Sequence, residues 1–88
     1  MMVLVTYDVD TISEQGQKRL RQVAKLCLNY GQRVQNSVFE CLLTESQFVK
    51  LRHELKCIID ENLDSIRFYF LGNNWKRRGG VVGKSYFI

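Results

Sequence analysis

The sequence predicts an α+β domain in which one antiparallel sheet carries two helices on a single face. Three observations predict it. Strand-forming runs at 2–9, 33–43 and 65–71 alternate with two stretches whose apolar residues recur at helical spacing. The middle run is interrupted by Asn36-Ser37, turn residues that split it into a pair of short strands. At 88 residues the chain has room for one core, so residues 1–88 form a single domain and a multidomain enzyme is excluded.

The elements follow in order. Residues 2–9 are rich in Val, Leu, Thr and Tyr and run into Asp8-Val9-Asp10-Thr11, which reads as a first strand ending in a polar loop. Thr11 or Ser13 can cap the next segment, where Leu20, Val23, Ala24, Cys27 and Tyr30 keep helical spacing until Asn29-Tyr30-Gly31 stops it. Lys18, Arg21 and Lys25 fall along one edge of that helix, away from the apolar stripe. Arg33 to Leu43 gives the two short strands. Thr44-Glu45-Ser46-Gln47 has the form of a capping box, and Phe48, Leu51, Leu55, Ile58 and Ile59 supply the apolar face of a second helix. Asn62 to Ser65 is its exit turn. Ile66, Phe68 and Phe70 alternate with Arg67, Tyr69 and Leu71, a strand with apolar residues on both faces. Gly72-Asn73-Asn74 ends that strand, Trp75 to Gly80 is a basic loop, and 81–88 supplies a final strand broken at Gly83.

The order β-α-β-β-α-β with an added C-terminal strand is the ferredoxin-like arrangement. Its helices cover one face of the sheet. The other, with aromatic and aliphatic side chains, is expected to be covered by a second copy in a sheet-to-sheet homodimer, which also offsets the marginal stability of so small a core.

Composition narrows the function classes. With 25% charged and 11% aromatic residues the chain is neither disordered nor membrane-embedded, and no apolar run nears the roughly 20 residues that cross a bilayer. The N-terminus lacks the basic and long apolar regions of a signal peptide, so a cytoplasmic location is expected. Cys27, Cys41 and Cys57 are odd in number and widely spaced, which predicts reduced, buried thiols rather than a disulfide framework or a zinc knuckle. The net charge of +4 is unevenly spread. Residues 18–33 hold five basic residues and no acid, and residues 65–88 hold five more and again no acid. Such segregation suits a polyanionic partner such as nucleic acid, although a solvated helix face and a basic loop account for it equally.

Several motifs carry chemistry, each beside a plainer alternative. Gly79-Gly80-Val81-Val82-Gly83-Lys84-Ser85 looks like a phosphate-binding loop, but Arg78 stands where a glycine is needed and three residues after Ser85 leave no room for the following helix. His53-Glu54-Leu55-Lys56-Cys57 departs from the zinc pattern H-E-x-x-H at Cys57, so His53 reads as the flank of a surface helix. Asp8 is more informative. It closes an apolar strand, where a sheet delivers a side chain rigidly to its rim, and a carboxylate there can hold Mg²⁺ when water and phosphate complete the coordination. Two copies of Asp8 across a two-fold axis would double the ligand set. Alternatively, Asp8 and Asp10 shape the turn and cap the helix. Arg33 can grip a phosphate, Ser37 can bond one, and Phe39 can stack on a base, pack at a dimer seam or simply pack in the core. Trp75 beside Lys76, Arg77 and Arg78 combines an aromatic platform with cations, and serves equally as an anchor for the last strand.

Tyr7-Asp8-Val9, the stretch Tyr30-Gly31-Gln32-Arg33-Val34-Gln35-Asn36-Ser37-Val38-Phe39-Glu40, and Asp64-Ser65-Ile66-Arg67-Phe68-Tyr69-Phe70-Leu71 together resemble the CRISPR-associated protein 2 family. The resemblance spans about residues 2–75. It implies a ferredoxin-like homodimer that takes part in spacer acquisition for antiviral defence, bridging two dimers of the CRISPR integrase subunit and holding incoming double-stranded DNA. It also implies a Mg²⁺-dependent endonuclease, with Mn²⁺ as a substitute, acting on double-stranded DNA or single-stranded RNA. The family's metal-binding, catalytic aspartate falls on Asp8, and its arginine and phenylalanine on Arg33 and Phe39. The alternative is a non-catalytic DNA-binding scaffold. In either case the nucleic-acid contacts are expected among Lys18, Arg21, Lys25, Arg33, Ser37, Phe39, Lys76, Arg77 and Arg78. The glycine-rich tail, residues 79–84, departs from the family's pattern.

Overall fold

Val3, Val5 and Tyr7 are buried while Met2, Leu4 and Thr6 between them are half-covered, the period of a strand with one face in the core. This is β1, Met2–Asp8, in a computed structural model that describes residues 1–71 and the backbone of 85–87. Helix α1 spans Glu14–Cys27, β2 Gly31–Gln35, β3 Val38–Leu42, α2 Glu45–Ile58, β4 Ser65–Leu71 and β5 Ser85–Phe87. The strands form one antiparallel sheet in the order β2-β3-β1-β4-β5, so the β-α-β-β-α-β arrangement with an added strand is borne out. No helix among the described residues is long and apolar enough to cross a membrane.

Local chemistry fixes the helix boundaries. Of the two candidate caps for α1, Ser13 is the one that acts, its hydroxyl accepting from the Gly16 N–H at 3.0 Å. Gly16 is required there, because a Cβ would collide with the Asp10 carbonyl oxygen, and this close approach seats the helix against the loop leaving β1. The capping box of α2 is complete, with Gln47 N–H donating to Thr44 Oγ1 at 3.1 Å and Thr44 N–H donating to Gln47 Oε1 at 2.9 Å. Tyr30 lies beyond α1, in the turn before β2, rather than on the helix.

Leu20, Val23, Ala24 and Cys27 of α1 and Leu51 and Leu55 of α2 pack on Val3, Val5, Phe39, Cys41, Ile66 and Phe68. Phe48 meets Phe68 and Phe70 edge-on, with ring centroids 5.2 and 4.9 Å away. The expectation that all three cysteines are buried is corrected at Cys57, which faces solvent. It sits two residues past Leu55, more than half a turn round from the buried stripe that Leu51 and Leu55 define.

The face away from the helices is apolar only in part. Its registered rows run from Met2, Leu42 and Leu71 through Leu4, Glu40 and Tyr69 to Thr6, Val38 and Arg67, and end at Asp8 and Ser65. Apolar character is thus concentrated at the end remote from Asp8. The basic loop expected at 75–80 lies outside the described residues, and so does most of the final-strand segment.

Candidate metal and nucleic-acid site

β1 delivers Asp8 to the rim of the sheet. Alternation puts its side chain on the face away from the helices, and it is exposed, with no hydrogen bond or ion pair to any described residue. Ser65 stands opposite on β4. On the other side, the Tyr7 N–H donates to the Ser37 carbonyl at 2.9 Å, which draws the β2–β3 turn up beside the same rim. Asp10 does not join Asp8 as a second free ligand. Its Oδ1 accepts from the Ile12 N–H at 2.8 Å, the turn-forming role that was the plainer reading of this residue.

Arg33 and Phe39 are cross-strand partners, and a register shift between Arg33 and Gln35 marks a bulge in β2. The Arg33 guanidinium lies over the Phe39 ring, 5.4 Å from its centroid, while Nε donates to the Asn36 carbonyl at 2.8 Å. Arg33 is exposed, and its terminal nitrogens make no hydrogen bond among the described residues, so they are aimed and available. Phe39 is fully buried, and what its ring does in this structure is pack the core and carry Arg33. Lys18, Arg21 and Lys25 are exposed on the outer side of α1, about 10 Å from first to last at the helical rise. They lie across the layer from Asp8, so one chain does not gather them with it into a single patch. Lys76, Arg77 and Arg78 are outside the described residues.

Three residues beside the rim were not singled out as site candidates from sequence. Asp64, with a side chain wholly removed from solvent, receives Arg19 Nε at 2.8 Å and Arg19 Nη2 at 3.2 Å. The Tyr7 hydroxyl and the Asp60 N–H, the latter at 3.1 Å, complete its shell. Burial works to raise the Asp64 pKa, but the hydrogen bonds from Arg19 and Tyr7 outweigh it and hold the carboxyl below its ordinary range. Burial and the neighbouring carboxylate push the Tyr7 phenol far above its usual value. Arg19 is thus bound inward, whereas its position in a basic run suggested a solvated cation. Forty-five residues separate it from Asp64, and no local pattern signals such a pair.

In chemical terms the rim offers a hard oxygen donor with no hydrogen-bond partner among the described residues and Ser65 opposite it, while the preset guanidinium of Arg33 shares the helix-side face with Phe39, across the sheet from Asp8. Among the described residues no group of three or more His, Cys, Asp or Glu side chains converges on a metal position. A single carboxylate suits Mg²⁺ where water and substrate supply the remaining ligands, and fits better as half of a set shared between copies.

Comparison with known proteins agrees with the family resemblance. The model of the CRISPR associated protein Cas2 family matches residues 1–78. The chain is 58% identical over 83 residues to the CRISPR-associated endonuclease Cas2 of Halalkalibacterium halodurans, covering 94% of this chain and 86% of the relative. It is 60% identical over 78 residues to the CRISPR-associated endoribonuclease Cas2 of Chlorobaculum tepidum, covering 89% and 81%. The crystal structure of Streptococcus pyogenes Cas2 at pH 6.5 superposes with a TM-score of 0.87 at 65% identity, over 94% of this chain and 100% of that one.

Proposed function

The chain belongs to the CRISPR-associated protein Cas2 family, and from that premise we propose that it is a metal-dependent endonuclease serving spacer acquisition in antiviral defence. The observation that carries this reading is the exposed carboxylate of Asp8, without a hydrogen-bond or ion-pair partner among the described residues, at the end of a strand buried on one side. Asp8 and its counterpart in a second copy would hold Mg²⁺, or Mn²⁺ in its place. When bound, such an ion supplies positive charge against the oxygens of a phosphodiester. The chain's own contribution is placement. Ser65 and the Ser37 turn would border the rim, while Arg33 and the α1 cations, on the other side of the sheet, would grip phosphates of a separate stretch of backbone. The relatives' names divide between endonuclease and endoribonuclease, so duplex DNA and single-stranded RNA are both substrates to assay.

A second reading is favoured by the placement of Lys18, Arg21 and Lys25 across the layer from Asp8. Duplex held there needs nothing from the carboxylate, and the chain then acts as a scaffold between two dimers of the CRISPR integrase subunit. One variant separates the two. Asp8→Ala is expected to lower Mg²⁺-dependent cleavage about a hundredfold or more while leaving the fold, the duplex affinity and its salt slope of about −0.9 per phosphate unchanged. Cleavage by the purified variant at the wild-type rate overturns the nuclease reading. Retained spacer uptake by an Asp8→Ala strain assigns the cellular role to the scaffold.

A further inference from the structure

The Asp64 carboxylate ties together the two strand ends that bear the proposed site. Asp8 and Ser65 face each other across β1 and β4, and the residues just before them, Tyr7 and Asp64, are joined by the phenol-to-carboxylate hydrogen bond. Arg19 brings α1 to the same carboxylate and the Asp60 N–H folds the loop before β4 onto it, so β1, α1 and that loop meet at one buried group. Every buried side-chain nitrogen and oxygen among the described residues has a hydrogen-bond partner. A network satisfied in this way specifies one arrangement, because any displacement leaves a buried charge or hydroxyl unpaired. The Asp8 side chain has no hydrogen bond or ion pair among the described residues, and the network one residue behind it is what can fix its position.

We propose that Asp64, with Tyr7 and Arg19, is a positioning unit for Asp8: it holds the β1 and β4 ends in the register that aims the Asp8 carboxylate. The inference rests on the nuclease reading of Asp8. It differs from a purely structural role in one respect. A structural network lowers stability when broken, whereas a positioning network also lowers the turnover of molecules that remain folded.

The experiment compares Asp64→Asn, Tyr7→Phe and Asp8→Ala with the wild-type chain, each kept well below its own unfolding midpoint. Steady-state cleavage of a duplex is measured with Mg²⁺, together with backbone amide order parameters in the absence of metal. In Asp64→Asn, kcat is expected to fall about tenfold or more while KM stays within about twofold, since substrate grip lies elsewhere. Order parameters are expected to drop at residues 8 and 65 and to hold in the middle of β1. Tyr7→Phe keeps the Arg19 to Asp64 pair, so it is expected to fold even where Asp64→Asn does not, and to show the same split to a smaller degree. If Asp8→Ala is inactive while folded Asp64→Asn or Tyr7→Phe turns over at the wild-type kcat with an unchanged rim, the positioning role is overturned and the nuclease reading stands. If Asp8→Ala cleaves as fast as wild type, both fall together.

Discussion

Asp64 shows how one carboxylate links pH to stability at the residue scale. Its folded pKa is depressed because Arg19, Tyr7 and the Asp60 N–H favour the charged form against the effect of burial. In the unfolded chain the same group titrates near the ordinary aspartate value of about 3.9. Between those two values the unfolded state binds more protons than the folded one, so stability rises with pH there. The contribution is therefore present in full above about pH 4 and is lost as the pH falls through the folded pKa. Urea unfolding at a series of pH values is expected to show a large stability gap between wild type and Asp64→Asn at pH 7, narrowing on the acid side. A gap that stays constant down to pH 3 would mean that Asp64 is not the group responsible. Little of this was legible beforehand. Asp8 stood out because it closes an apolar run, a local pattern. Asp64 closes no pattern of its own, and its partners come from β1 and α1, brought in only by the tertiary fold.

At the scale of the element, the sequence was most readable where local bonds decide the outcome. The Thr44 and Gln47 pair announces the start of α2 within four residues, and both of its hydrogen bonds form. Thr44→Ala removes the side-chain acceptor and is expected to cost about 1 kcal/mol, or about 5 °C in Tm, with Thr44→Ser restoring most of it. Thermal unfolding followed by circular dichroism measures this. Cleavage at 25 °C should not change, because α2 begins away from the Asp8 rim, and a parallel loss of activity would argue that α2 frays into the site. The alternation in β4 was legible for a similar reason: period two in apolar residues needs no knowledge of neighbours to be read as a strand. The β2–β3 hairpin was only half legible. Asn36-Ser37 marked the turn, but the bulge that sets the direction of Arg33 arises from pairing with β3, and the sequence left that direction open.

At the scale of the whole molecule, the question is what covers the sheet face away from the helices. The domain is small, its helices protect one side only, and Met2, Leu4 and Leu42 remain at least partly open on the other. A second copy apposed there would cover them and bring a second Asp8 into the assembly, the arrangement that the proposed metal site needs. The polar rows near Asp8 do not oppose this, since sites that admit water and ions belong at the wetter end of an interface. Leu4 offers a test because it sits in the middle row, beside Glu40 and Tyr69. Leu4→Lys places its ammonium next to the Glu40 carboxylate, so the separate chain tolerates it, but apposing two sheets would bury that charge. Sedimentation equilibrium is expected to show a dimer dissociation constant at least about tenfold higher than wild type, with the far-ultraviolet circular dichroism unchanged. Cleavage per chain should then vanish at concentrations where the variant is monomeric and return as the concentration is raised through its dissociation constant. If Leu4→Lys sediments as a wild-type dimer, the two copies do not meet through this face. If it is monomeric yet fully active, one Asp8 carboxylate suffices and the shared metal site is wrong.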